Sequence, residues 1–405
     1  MEPLFSSFSI GSLDIACANL DYLKSCSLGV YIPVGSRHEL LQEAGISHFI
    51  EHMLFKGTKN KSATELARHT ESLGISTNAY TTEEHTLIEM QGLATSLPQM
   101  VELICEMVWS SSFLEKEIQN ETLVIQEEII EYFETPSEHI YDLISAALWK
   151  GHPLGRSITG THESVDQLSR DQLIAFHQKH YTRNIKLAVA GDIDISALKE
   201  SLHQYFPSSF SKRKNPLQKP TPSFDTIQQS RDTDQANIAI AFPTGGRNSH
   251  HRIALRLISL MLGETMGSIL FQKIREELGL CYSIQSELAL FEDVGSFNIT
   301  TAVSAKNHEF TTEHILNSIT KFAKNGPTTD MLNNAKQFAI IQNTLALEGS
   351  QSYMQWIGDS ICNYNKMIHP AEVKEQILSV TEEQIMDTLE QTFCQPHAYA
   401  AILPD

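Results

Sequence analysis

The sequence predicts an α+β chain built from two copies of one α/β unit, and three pairs of landmarks carry that reading. Pro33-Val-Gly-Ser-Arg37 returns as Pro243-Thr-Gly-Gly-Arg247, 210 residues later and after a similar β-like run. The helix-starting box Ser169-x-x-Gln172 returns as Thr381-x-x-Gln384, 212 residues later. Each half then closes on an apolar strand ending in aspartate, at Asp192 and Asp405, 213 residues apart. Three matches in one order at nearly constant spacing identify a duplication. The 405-residue length accommodates two or three domains. Residues 207–229, where Ser, Lys, Pro and Gln dominate, supply the linker candidate. The expected division is 1–208, a linker at 209–229, and 230–405.

A net charge of −19, from 49 acidic against 30 basic residues, disfavours nucleic acid or an anionic membrane as the main partner. No run approaches the roughly 18 apolar residues that a membrane span needs. Met1-Glu2-Pro3-Leu4-Phe5 has no basic segment leading into an apolar one, so a cytoplasmic location is expected. The six cysteines are scattered without a C-x-x-C pair and read as buried free thiols of a reducing compartment.

In chain order, residues 12–34 read as two extended runs split at Asn19-Leu20-Asp21, the second rich in β-formers. A turn at Pro33-Val34-Gly35-Ser36-Arg37 leads to an apolar helix over residues 45–55. Ser62 and Glu65 box the start of a helix expected to end near Gly74. Residues 77–81 and 85–90 form a hairpin, with small and polar side chains in Thr77-Asn78-Ala79-Tyr80-Thr81. An edge strand of that kind suits pairing with an extended peptide; a plain edge strand with a polar outer face is the alternative. A helical region covers residues 97–150, interrupted near Ser110 and Pro136. Ser169 opens a helix ending near Tyr181, and residues 185–190 are a buried-type strand closed by Gly191-Asp192.

The helix over residues 45–55 contains His48-Phe49-Ile50-Glu51-His52. Positions i, i+3 and i+4 share one face, so His48, Glu51 and His52 converge. Two imidazoles one turn apart can bind one tetrahedral ion, and a carboxylate between them can act on water there, the H-x-x-E-H arrangement. An open catalytic zinc site needs a third protein ligand, commonly carboxylate. Glu121 and Glu128 are two full helical turns apart and share a face, whereas Glu127 points about 100° away from Glu128. Glu128 is therefore the candidate ligand and Glu121 the outer group that orients a histidine. In the second copy the positions 210 beyond the motif are Ile258, Met261 and Leu262, which can only be core. That copy instead carries Arg275 and Tyr282, seven apart across a turn, where guanidinium and phenol can clamp or polarise a substrate carbonyl.

These residues resemble the pitrilysin/insulinase family of inverted-motif zinc peptidases, in the half-length branch that includes mitochondrial processing peptidase and its bacterial relatives. The resemblance spans essentially the whole chain. It is most specific at Gly45-Ile-Ser-His-Phe-Ile-Glu-His-Met-Leu-Phe-Lys-Gly-Thr58, at Glu121 with Glu128, and at Phe271-Gln-Lys-Ile-Arg-Glu-Glu-Leu-Gly-Leu-Cys-Tyr282. It implies one zinc ion on His48, His52 and Glu128, Glu51 as general base, Glu121 as a supporting acid, and Arg275 with Tyr282 as a substrate-holding pair. Asn78, Ala79 and Thr81 match the strand that pairs with substrate backbone, while Ile75 stands where the family commonly has a second glycine. The implied fold is half of a clamshell. The implied activity is metalloendopeptidase cleavage of unfolded peptides or leader segments in an enclosed chamber, with Glu51 passing a proton from water to the leaving amine and Tyr282 helping to steady the oxyanion.

A half-length chain needs a partner. Because both the metal motif and the Arg275/Tyr282 pair are present, the resemblance implies a homodimer in which each chamber joins one subunit's zinc site to the other's pair. Separate catalytic and non-catalytic subunits are the competing arrangement. A non-catalytic structural or peptide-binding subunit of the same fold is the reading from another class, and manganese or cobalt are alternatives to zinc.

Overall fold

The computed structural model describes residues 3–207 and 210–405. The leading half opens with β1 (Leu4–Ile10), β2 (Leu13–Asn19), β3 (Ser25–Ile32), α1 (Ile46–Met53) and α2 (Ala63–Ser72). It continues through β4 (Ser76–Thr81), β5 (Thr86–Leu93), α3 (Leu97–Trp109), α4 (Glu115–Glu134) and α5 (Pro136–Leu148). Then come α6 (His162–Asp166), α7 (Arg170–His180), β6 (Lys186–Gly191) and α8 (Ile195–Tyr205). The trailing half runs β7 (Thr226–Arg231), β8 (Gln235–Gly245), α9 (Arg252–Ser259), β9 (Cys281–Leu290), β10 (Val294–Ser304) and α10 (His308–Asn325). It ends with α11 (Thr329–Ala346), α12 (Ser350–Tyr364), α13 (Pro370–Ser379), α14 (Glu382–Phe393) and β11 (Ala398–Pro404).

The first sheet has the order β1-β2-β6-β3-β5-β4 and the second β7-β11-β8-β10-β9. With β1 set aside the two orders coincide, strand for strand, and the parallel pair falls at the same place: β2 with β6, β7 with β11. The duplication is therefore present in the topology. The boxes at Ser62, Ser169 and Thr381 form as expected, each hydroxyl accepting from the backbone three residues on.

The compact units interleave along the chain instead of dividing at one linker. One comprises Met1–Ile129, Ser157–Leu217 and Ala346–Ile368; the other comprises Ile130–Arg156, Gln218–Leu345 and His369–Asp405. The expected junction at 208 and 209 lies outside the described residues. The expected linker also ends early, because Thr226 already begins β7, paired with β11. The physical reason for the interleaving is reciprocal. Helix α12, from the trailing half, supplies Met354, Ile357 and Ile361 to a core with Ala16, Ala18, Ala188 and Ala190. Helix α5, from the leading half, supplies Ile140, Ile144 and Ala147 to a core with Ala239, Ala241, Ala398 and Ala400. Each sheet thus turns a face of small residues to the exchanged helix, which lets that helix approach closely. At Gly358 a Cβ would lie 2.1 Å from the Tyr31 ring, so α12 needs glycine there.

The opposite face of the first sheet carries the larger core, in which Ile15, Leu28, Val30 and Ile88 meet Phe49 and Ile50 of α1 and Ile104 of α3. All six cysteines are free, but only Cys17, Cys26 and Cys105 are buried, and Cys394 is exposed, so burial accounts for half of the expected set. Among the described residues no helix is long and apolar enough to cross a membrane.

Two histidines of α7 are enclosed by this core. His177 Nε2 donates to the Val108 carbonyl at 2.6 Å, and His180 Nδ1 meets the Asn215 side-chain oxygen at 3.0 Å. Burial pushes both down from 6.5 to about 4. Between those values the unfolded chain binds protons that the folded chain refuses, so stability is intact above about pH 6.5 and is lost as the pH falls toward 4. Metal-stripped protein should show a urea midpoint that drops across this window, with each histidine contributing on the order of 1–3 kcal/mol; a flat midpoint from pH 7 to 4 would contradict the assignment.

Candidate metal centre

Helix α1 is short, and its position is fixed from both sides. Ile46, Phe49, Ile50 and Met53 are fully buried at i, i+3, i+4 and i+7, which turns His48, Glu51 and His52 to the other face. Its N-cap, Gly45, has φ +90, and a Cβ there would lie 2.6 Å from the Thr159 carbonyl oxygen. No side chain caps the helix from the N-cap position. Instead the buried Glu39 carboxylate accepts from Gly45 N and Ser47 N, both at 2.9 Å, and satisfies the open amides of the first turn.

Helix α4 brings Glu121 and Glu128 to that face. Glu128 Oε2 lies 3.8 Å from His48 Nε2 and 3.5 Å from His52 Nε2. Ligand atoms about 2.0–2.1 Å from a tetrahedral ion sit about 3.3 Å from one another, so these separations suit a common centre. One donor atom from each of the three residues falls within 4.8 Å of the other two, and two imidazoles with a carboxylate are a zinc-type donor set. Burial first, and the neighbouring His52 second, push His48 down to about 4, so at neutral pH it offers a lone pair.

Glu121 is buried, with a side chain 4% exposed, and both its oxygens are used. Oε2 meets His52 Nδ1 at 3.1 Å and Oε1 meets Lys56 Nζ at 2.7 Å. That bond puts the ring proton of His52 on Nδ1 and leaves Nε2 bare toward Glu128. His48 has no such support, since its Nδ1 is buried without a hydrogen-bond partner. Glu51 sits beside the ligands and its Oε2 accepts from the Thr81 hydroxyl at 2.5 Å. Burial raises its proton affinity above the usual carboxylate range, and Thr81 and His52 oppose that.

The expected site residues do not all gather. His48, Glu51, His52, Glu121, Glu128 and Thr81 do. Asn78 and Ala79 lie on β4, the terminal strand of its sheet, where Asn78 Nδ2 donates to Glu89 at 3.4 Å and Ala79 packs on the core. Ile75, just before that strand, is buried. Arg275 and Tyr282 belong to the other unit: the guanidinium lies 4.5 Å from the Phe271 ring centre and 5.3 Å from that of Tyr282, which is 84% exposed. Ile258, Met261 and Leu262 are core residues there.

Lys56, Glu39 and Glu89 escaped the sequence reading. Lys56 is four residues beyond His52, so helical spacing could have flagged it. Glu39 acts across a loop, and buried Glu89 is held by Gln351 at 2.9 Å and Gln355 at 3.0 Å, contacts that no local spacing announces.

Comparison with known proteins agrees with this architecture. Residues 14–162 match the family described as Insulinase (Peptidase family M16), and residues 167–338 match the Peptidase M16 inactive domain. The chain is 32% identical over 393 residues to an uncharacterized zinc protease of Bacillus subtilis, YmxG, covering 96% of each protein. It is likewise 32% identical over 382 residues to an uncharacterized zinc protease of Mycobacterium tuberculosis, covering 93% of this chain and 87% of that one. The fold matches a protease from Helicobacter pylori with a TM-score of 0.91 over 100% of both chains, at 20% identity. The chain belongs to peptidase family M16, as a two-domain member of mixed helix and sheet.

Replacing Glu121 with Gln removes the charge that orients His52 and leaves Lys56 beside an uncharged amide. The variant should bind zinc about 10–100-fold more weakly in competition with a chromogenic chelator. Wild-type affinity in that variant would show that His52 is oriented by something else.

Proposed function

We propose that the chain is a zinc-dependent endopeptidase acting on extended, unfolded peptide segments, with the leading copy carrying the chemistry and the trailing copy the substrate-holding pair. The observation that carries this reading is a supported carboxylate, Glu51, set beside a two-histidine, one-carboxylate metal group on the same helix face. Family membership and the zinc protease names of the relatives support the metal and the reaction class.

In this proposal His48, His52 and Glu128 hold zinc. When bound, the ion supplies a water of lowered pKa and polarisation of the scissile carbonyl. Glu51 takes a proton from water on its other oxygen, Oε1, while Thr81 holds Oε2, and returns that proton to the departing amine. Its raised proton affinity suits a group that must both accept and release a proton near neutral pH. Strand β4 has an unpaired edge, and pairing a peptide there through Asn78, Ala79 and Thr81 sets the scissile bond close to Glu51. Tyr282 donates to the carbonyl oxygen as charge develops, with Arg275 stacked beside its ring to fix its approach. The high exposure of Tyr282 supports its serving a second copy of the chain in a homodimer, with the cleavage chamber enclosed between copies.

The Glu51→Gln variant should keep its zinc and lose turnover of a quenched fluorogenic peptide by about 10²–10⁴-fold, as the wild type does with a chelator. Undiminished turnover would remove Glu51 as the base. Subunit sharing makes a separate prediction. Mixing Glu51→Gln with Tyr282→Phe subunits should restore activity, because one of the two chambers in a mixed dimer then pairs an intact Glu51 with an intact Tyr282. Activity no higher than the sum of the separate variants would place both residues' action within one chain.

A further inference from the structure

The trailing unit holds a second group of metal-type donors that has no part in the proposed chemistry: His250, His251 and Asp387. His251 is the N-cap residue of α9, and Asp387 lies within α14. One ligand atom from each of the three residues falls within 4.8 Å of the other two. The two imidazole rings have centroids 3.8 Å apart, and His251 Nε2 is 3.7 Å from Asp387 Oδ2.

Hydrogen bonding decides which nitrogen is bare. Thr388 donates its one hydroxyl proton to the Gln384 carbonyl at 2.6 Å, so toward His251 Nδ1, at 2.8 Å, it must accept. Nδ1 therefore carries the ring proton and Nε2 keeps its lone pair. That nitrogen is buried without a hydrogen-bond partner and faces a carboxylate oxygen, another acceptor. Gln391 donates to Asp387 Oδ1 at 3.0 Å, which leaves Oδ2 for the shared space. Two acceptors thus face each other beyond hydrogen-bond distance, an arrangement that a cation between them would satisfy from both sides.

We propose that His250, His251 and Asp387 form a second divalent-cation site, of the borderline class that takes imidazole and carboxylate together, such as zinc, cobalt or nickel. Thr388 and Gln391 orient two of the three ligands, as outer groups do in metal sites. The bound ion ties the start of α9 to α14.

The test counts zinc by mass spectrometry on full-length protein stripped with chelator, dialysed against zinc alone and freed of excess. Wild type should hold two equivalents per chain. His250→Ala and Asp387→Ala, both at exposed positions, should each hold one, as should His52→Ala, and His52→Ala with His250→Ala together should hold none. Wild-type counts in both His250→Ala and Asp387→Ala overturn the second site. A single wild-type equivalent lost on His52→Ala and kept on His250→Ala overturns it equally. A single equivalent lost on His250→Ala and kept on His52→Ala upholds the second site and instead removes the metal from the proposed peptidase centre.

Discussion

The centre depends on one buried charge. Glu121 is shut away from water, where an unpaired carboxylate would cost several kcal/mol, so it persists only because Lys56 and His52 each meet one of its oxygens. Both partners come from the segment that carries the metal motif, and Glu121 comes from α4. The same contact therefore docks α4 against that segment and orients the histidine. Glu128, two turns further along α4, is carried to its place by this docking, and its half-exposed carboxylate makes no comparable anchor of its own.

Helix α1 could not supply this rigidity alone. At eight residues it is shorter than an isolated helix can be in water. Its apolar face in the core and the Glu39 carboxylate at its start hold it from both sides. Glu51 is supported separately, by Thr81 at the end of β4. Thr81 was expected on a strand that pairs with substrate; it lies at the end of β4, and its hydroxyl is directed at Glu51. A peptide paired along β4 and the carboxylate that would act on it thus share one strand as their reference.

Much of this was legible because helical geometry writes itself into spacing. His48, Glu51 and His52 at i, i+3 and i+4, and Glu121 and Glu128 seven apart, declare a shared face before any coordinates exist. Strand pairing left its trace in the landmarks that return 210 to 213 residues later. The interleaving of the units was not legible, since which sheet a helix covers depends on contacts between residues far apart in sequence. A trace of it exists all the same. Ala16, Ala18, Ala188 and Ala190, and then Ala239, Ala241, Ala398 and Ala400, recur at every second position of their strands, so the face under the exchanged helix is set apart from the face on the larger core.

That separation explains how one copy can lack the metal chemistry and keep the fold. The scaffold of each unit is specified by strand alternation, by boxed helix starts and by the small-residue face under the exchanged helix. None of these uses the polar face of α1. In the second copy the equivalent positions, Ile258, Met261 and Leu262, join the core instead, and the helix broadens into a π-helical turn over Leu260–Glu264. The three apolar side chains there place no unpaired charge in that core. Removing Glu121 alone from the first copy would not be equivalent, since Lys56 and His52 would remain. The unit of chemistry is therefore the complete set of paired polar groups, and the fold constrains it only by bringing α1 and α4 face to face.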